Sequence, residues 1–394
     1  MKKTYKALLC GAAAVAAVGI AYAMDERFFE KAKDKLTVFK CRANSKIMEQ
    51  ALPLTDAMFP GPKVVSGADS AKKIPEVLKE LNVNKVMIVT GPTVGRTIVP
   101  PIAENLERHG IGYTIYDQVE ANPSVKTVEA IRAQYLENGC DGFLAIGGGS
   151  PMDAAKAAAA RVAKPNTPIG KMAGLMKVMI KVAPIVAVPT TSGTGSEVTM
   201  GAVISDHDER HKYAIMDPNL VPKYAVLDPK LTVSMPKFVT ATTGIDALTH
   251  AVESYVTWAY NNNASNRNAE EAVVKIFRNL KRAYEDGNDL EAREAMLIAS
   301  YKAGLAFNHT GVGYVHAIAH AMGGIYNTAH GLANAVIMPI VLEDYGTAVH
   351  PQLAHLAEIT GVKTTGPQLA RPNCGIHSEH HLLHQEVLIF FSSS

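Results

Sequence analysis

Two short stretches of the chain carry side chains that bind cations. HAIAHAMGGIYNTAH (316–330) holds His316, His320 and His330, and the first two stand one helical turn apart. Imidazole is a poor core filler, so the grouping calls for a partner. One lies seventy residues upstream in TTGIDALTHAVESYV, where Asp246 and His250 are again four apart. At that spacing a carboxylate oxygen and an imidazole nitrogen can converge on one ion. One Asp and three His form a mixed O/N donor set suited to Fe(II), Zn(II) or Mn(II), with room left for a substrate oxygen. An ion held there could polarise a carbonyl or stabilise an alkoxide. Each half also has a plainer reading. Asp246, three residues after Thr243, suits a helix-start carboxylate facing the dipole, and His250 alone suits an ordinary core or surface histidine. On this helix Ile245, Leu248, Val252 and Tyr255 form an apolar stripe and Asp246, His250 and Glu253 a polar one. Gly323 and Gly324 are expected to stop the second helix before His330.

A different chemistry is suggested by two loops. In GFLAIGGGSPMDAAK an apolar strand ends in Gly147-Gly148-Gly149-Ser150, and Pro151 sits where a helix can begin. Glycines admit close backbone approach, and the free N–H groups of a helix start attract phosphate. A glycine turn also serves as a plain strand-to-helix joint, and this one is not GxGxxG. The second loop, PTTSGTGSE (189–197), again follows an apolar strand and offers many hydroxyls. Two such loops at the carboxyl ends of strands in one sheet are where an open α/β sheet binds a ligand.

The elements that must position these residues follow from hydrophobic rhythm. From about 61 to 235, continuous apolar runs (KVMIVTG, GYTIYD, GFLAIGGG, PIVAVPTT, YAVLDP) alternate with helical patterns. Unbroken apolar strands fit a parallel sheet covered on both faces. After Leu231 the apolar residues recur at spacings of three and four, which predicts helices throughout. The break near Pro229 to Pro236 divides an α/β domain, 48–235, from an all-helical one, 236–361.

With these motifs in this order, the chain resembles the iron-containing alcohol dehydrogenase family from roughly Phe59 to Gly361, on GGGSPMDAAK, PTTSGTGSEVT, GIDALTHAVESY and GVGYVHAIAHAMGGIYNTAHGLANA. The resemblance implies a Rossmann-like parallel sheet followed by an all-α domain, a dehydroquinate synthase-like architecture. It implies hydride transfer between a metal-held short-chain alcohol or diol and NAD or NADP, in a homodimer. The implied metal ligands are Asp246, His250, His316 and His330, for Fe2+ with Zn2+ as the alternative. His320 is implied beside the metal, in proton relay or cofactor orientation. Gly148, Gly149 and Ser150 fall at the pyrophosphate and Asp153 near the nicotinamide. Thr190, Thr191, Ser192, Gly193 and Thr194 line the cofactor, joined by Lys212 and Asn122. Where many relatives carry an Asp that rejects a 2′-phosphate, this chain has Gly91, which leaves NADP open. A zinc-dependent glycerol dehydrogenase-like enzyme and a non-catalytic remnant are the rival readings.

Composition bounds the rest. With 394 residues, 47% hydrophobic and 19% charged, and a net charge of +2, the chain has the profile of a globular protein of two ordinary domains, with no basic face for nucleic acid. Cys10, Cys41, Cys140 and Cys374 show no CxxC spacing, so neither a disulfide framework nor a thiolate zinc site is expected. Residues 1–47 form an extension in which a basic head, an apolar run and Ala21-Tyr22-Ala23 read as an export signal, or as a membrane tether through residues 7–23. The need for a soluble cofactor argues instead for the cytoplasm. Residues 362–394 lose the helical rhythm and resemble a truncated or frame-shifted tail; His377, His380, His381 and His384 lie there with no supporting pattern.

Overall fold

A computed structural model of the chain describes residues 61–206, 211–257, 261–326 and 328–362. The expected extension at 1–47 and the tail from 363 onward lie outside the described residues. Six parallel strands make the main sheet: β1 (Lys63–Ser66), β2 (Lys85–Val89), β3 (Gly112–Tyr116), β4 (Gly142–Gly147), β6 (Ile185–Pro189) and β9 (Tyr224–Leu227). Their order is β1-β9-β6-β4-β2-β3, with every pair parallel. The apolar runs are continuous because both faces are covered. On β4, Leu144 and Ile146 join Val86, Ile88, Val186 and Val188 in one core. Phe143 and Ala145 join Met87, Val89 and Ala187 in the other.

Topology decides where a ligand can sit. From β2 the chain moves outward to β3, then crosses back to β4 on the other side of β2. The loops leaving β2 and β4 therefore diverge, and a crevice opens at their carboxyl ends. The five predicted strands all form within their expected runs. The edge strand β1 and a second sheet were not expected. That second sheet has order β5-β8-β7, from Gly174–Leu175, His211–Met216 and Gly201–Asp206, with β7 and β8 antiparallel. Its strand β7 is only half covered and carries no long apolar run, so its signal in the sequence is weak.

Helices α1 (Ile74–Glu80), α2 (Pro92–Thr97), α3 (Val99–Arg108), α4 (Val125–Glu137) and α5 (Gly149–Ala163) flank the sheets. In α5, Ala154, Ala155 and Ala157 to Ala160 are fully buried, and their small side chains let this helix lie close on β4. It begins at Gly149, ahead of the expected start at Pro151, so Gly149 and Ser150 occupy its first turn.

The helical half comprises α6 (Lys237–Val256), α7 (Asn263–Glu285), α8 (Leu290–Thr310), α9 (Tyr314–Tyr326), α10 (His330–Tyr345) and α11 (His350–Thr360). Helix α6 runs through the middle, packed against α7, α8 and α10. Its polar stripe is as buried as its apolar one. Two expectations change here. Since α6 starts at Lys237, Asp246 lies mid-helix and cannot be a helix-start carboxylate. Gly323 and Gly324 do not stop α9, which continues to Tyr326. A helical glycine costs only about 1 kcal/mol, which surrounding contacts outweigh. Among the described residues no single helix is long and apolar enough to cross a membrane.

The two halves meet at glycines. Gly195, with φ of +60°, packs so closely that a Cβ on it would lie 2.8 Å from the Gly304 Cα of α8. Gly195→Ala combines a left-handed backbone with a backbone clash, and should cost on the order of 2–4 kcal/mol. Urea unfolding of the variant beside wild type checks this; equal midpoints would contradict it.

Candidate active site

Helices α6, α9 and α10 bring the predicted cation ligands together. Donor atoms of Asp246, His250 and His316 all lie within 4.8 Å of one another. His316 Nε2 is 3.6 Å and His330 Nε2 3.4 Å from Asp246 Oδ1. Two donors about 2.1 Å from one ion at tetrahedral angles stand roughly 3.4 Å apart, so these separations suit a first-row divalent metal. The rings are crowded: His250 stacks on His316 at 4.3 Å and on Phe307 at 4.2 Å between centroids. His320 stands edge-on to His316, with centroids 6.2 Å apart, and 4.9 Å from His330. It is exposed along the cleft, whereas His250 and His316 are buried. The first turn of α10 reaches α6 because residue 331 is glycine; a Cβ there would lie 2.0 Å from the Thr242 carbonyl oxygen.

Electrostatics separates these groups. Burial pushes the Asp246 carboxyl up, but the imidazoles of His250, His330 and His316 outweigh it and hold the group well below the usual carboxylate range. Burial, then the neighbouring His316, push His250 down to about 3. The crowded rings shield His320 from water on its inner side, and this, then His330 and His316, push it down to about 3; loss of water also lowers His330. In His316 the burial penalty is overcome by hydrogen bonds to Asp246 and Glu253, which raise it to about 9. Stacked rings cannot both carry charge, and the two carboxylates decide which one does. His250, His320 and His330 thus keep neutral rings at pH 7, as metal binding requires, and His316 would give up its second proton to an incoming ion.

Several polar groups here were not expected from sequence. Asn334, fully buried one turn beyond His330, donates from Nδ2 to Asp246 Oδ1 at 2.7 Å. Its Oδ1 has no hydrogen-bond partner among the described residues. Glu253, noted only as part of a stripe, binds His316 directly. The chain offered a hint in each case: Asn334 is four residues from His330, and Glu253 three from His250.

The expected nucleotide residues gather at the crevice. Gly148 caps α5, and a Cβ on it would lie 3.2 Å from Thr191 Oγ1; one on Gly149 would lie 2.9 Å from Thr194 Cγ2. The two loops therefore touch. Thr190 N donates to the Gly147 carbonyl at 2.9 Å. Asn122, left-handed at φ of 59°, donates its N–H to Ser150 Oγ at 3.2 Å. Ser192 Oγ is buried without a partner among the described residues, and Gly193 abuts Thr243 of α6. From β8, Lys212 reaches α9: its Nζ lies 3.4 Å from where a Cβ on Gly323 would be. Burial lowers its amine. Asp153 faces inward, accepting from Ser196 Oγ at 2.8 Å and Val203 N at 3.0 Å. At the end of β2, a Cβ on Gly91 would lie 3.1 Å from the Val119 carbonyl, while the Asp117 side chain lies against Gly95.

Beneath the hydroxyl-rich loop sits Lys156, fully buried. Its Nζ donates to the carbonyls of Ser196 (2.7 Å), Thr199 (2.8 Å) and Gly201 (2.9 Å), and to Ser196 Oγ (3.0 Å). One ammonium thus ties α5 to the chain between β6 and β7. Burial pushes this amine down to about 8 and the adjacent Glu197 carboxyl up to about 7.

Comparison with known proteins identifies the set. Residues 61–229 match the family described as Iron-containing alcohol dehydrogenase, and 240–381 match the Fe-containing alcohol dehydrogenase family, C-terminal. The chain is 36% identical over 314 residues to the NAD-dependent methanol dehydrogenase of Bacillus methanolicus, covering 79% of this chain and 82% of that one. To lactaldehyde reductase of Escherichia coli K12 it is 33% identical, covering 77% and 79%. The crystal structure of a 1,3-propanediol oxidoreductase superposes with a TM-score of 0.78 at 33% identity, covering 85% of each chain.

The chain belongs to the iron-containing alcohol dehydrogenase family. It is accordingly a metal-dependent alcohol oxidoreductase, and Fe2+ with NAD(H) is consistent with that membership. An iron-containing alcohol dehydrogenase needs donors for a divalent ion beside a nucleotide crevice. The orphaned Asn334 Oδ1 and the Asp/His donor set fit the first need, and the partnerless Ser192 Oγ fits the second.

Glu197 gives this subsection its test. A carboxyl raised from 4.5 to about 7 contributes most to stability below pH 4.5, and that contribution is lost as pH rises through 7. Glu197→Gln should therefore gain on wild type between pH 4.5 and 7. Urea unfolding across that window reads the difference, and a constant offset would contradict it.

Proposed function

We propose that this enzyme interconverts a short-chain primary alcohol or diol and its aldehyde, with NAD(H) as the hydride carrier. Asp246, His250, His316 and His330 would hold the metal, Fe2+ by family. The observation that carries the reading is adjacency: Lys212 of the nucleotide half meets α9 one turn beyond His320. Methanol, lactaldehyde and 1,3-propanediol, named for the relatives, are all small.

When bound, the metal supplies Lewis acidity at a substrate oxygen. The chain's own groups do the rest. The first turn of α5, with Gly148, Gly149 and Ser150, presents N–H groups to the pyrophosphate. Thr190, Thr191, Ser192, Gly193 and Thr194 line the cofactor opposite, and Asn122 braces Ser150. Lys212 brings positive charge to the join. Asp153 acts through Ser196, holding the loop in shape. His320, open to the cleft and beside His330, is placed to relay the alcohol proton onward or to orient the cofactor. The Asp117 carboxylate near the Gly91 turn would disfavour a 2′-phosphate, supporting NAD over NADP. Domains of 48–235 and 236–361, a homodimeric assembly and a cytoplasmic location complete the proposal.

Zn2+ is the second reading, because one carboxylate and three imidazoles serve it equally. Anaerobic reconstitution with Fe(II) or Zn(II), then an alcohol panel with both cofactors, decides between them. His316→Ala should abolish metal binding. His320→Ala should keep the metal and lower turnover by 10²–10⁴-fold. Equal loss of metal in both variants would refute the division of roles.

A further inference from the structure

We propose that Glu253 is a positioning residue for the metal: it fixes the ring and the tautomer of His316 and so sets the affinity of the site. The inference rests on the metal reading above. Glu253 lies on α6 in line with Asp246 and His250 and is 1% exposed. Both its oxygens are taken. His316 Nδ1 donates to Oε2 at 2.5 Å, and Val315 N donates to Oε1 at 2.8 Å. The donor atoms that converge are those of Asp246, His250 and His316, which separates Glu253 from the donor set although it shares the same helix face.

Three consequences follow from this arrangement. With Nδ1 held by a carboxylate, the ring nitrogen left to face an ion is Nε2, which lies 3.6 Å from Asp246 Oδ1. A carboxylate behind an imidazole also raises its basicity toward an ion. Third, Val315 N is one of the N–H groups at the start of α9 that no helix carbonyl can reach, so Glu253 anchors the turn that carries His316. The chain makes room for this. At Gly313 a Cβ would lie 2.6 Å from Glu253 Oε1, so a side chain there would push the carboxylate away. Charge accounting agrees: Asp246 and Glu253 together balance a dication held by neutral imidazoles.

The test measures metal binding apart from turnover. Apo protein is titrated with Co(II) against a chelator, with the visible absorption bands recorded alongside. Glu253→Gln keeps the size of the side chain but cannot accept from Val315 N and His316 Nδ1 with equal strength. It should bind Co(II) 10–100-fold more weakly than wild type and shift the bands. Glu270→Gln is the control for a merely structural glutamate, since Glu270 accepts from Tyr255 and pairs with His355 elsewhere in the helical half. It should leave affinity and bands unchanged. If Glu253→Gln does not fold, Gly313→Ala gives the same readout, with weaker binding although Glu253 is present. Wild-type affinity and bands in Glu253→Gln, or equal losses in Glu253→Gln and Glu270→Gln, would overturn the proposal. A wild-type chain that binds no Co(II), Fe(II) or Zn(II) would overturn the metal reading itself, a result distinct from either.

Discussion

The helical half is organised around one ionised carboxylate buried in its middle. Asp246 sits mid-helix at 3% exposure, where an uncompensated charge would cost several kcal/mol. Its surroundings are arranged against that cost. His316 lies opposite, Asn334 donates to it, and His330 stands at 3.4 Å. These groups come from α9 and α10, so two helices are held in place by what α6 buries. Small residues make the approach feasible: Gly331 against the Thr242 backbone, and Ala247, Ala251, Ala299 and Ala303 in the surrounding core. A hydrophobic core alone would not require this register among the helices.

The nucleotide half has its own buried charge, of opposite sign. Lys156 gathers carbonyls from 196, 199 and 201 around one ammonium. A loop rich in Ser, Thr and Gly has little apolar surface to bury, so it cannot hold a shape by packing. A central cation gives it one. Asp153 and Ser196 continue the network toward β7. The loop's outer hydroxyls are then left for a ligand, and its glycines contact the helical half at Thr243 and Gly304.

Much of this was legible in the chain, for identifiable reasons. Continuous apolar runs announced the parallel strands because both sheet faces are covered, and the i, i+4 pairs 246/250 and 316/320 announced one helix face each. The dipeptide Gly323-Gly324 misled because local propensity is weak beside tertiary contact. The small sheet of β5, β7 and β8 was hidden because half-covered strands of two to six residues leave only a faint alternation. The supporting polar residues escaped for another reason. Local spacing puts Asn334 and Glu253 on the faces of His330 and His250, but their partners, like those of Lys156, lie tens of residues away. The donor set itself was legible because its spacing is local within each helix.

Gly195 and Gly304 place the backbones of the two halves in direct contact, without side chains between them. Side chains between two bodies act as bearings, changing rotamer so that one body slides over the other. Bare backbones have none: a shift would drive Gly195 into the Ser300 carbonyl, while the Val198 side chain of the same loop already packs against Gly304. Gly193 against Thr243 and Lys212 against Gly323 join the same two halves at further points, so a displacement at any one contact is felt both by the nucleotide loop and by the helices that carry the histidines.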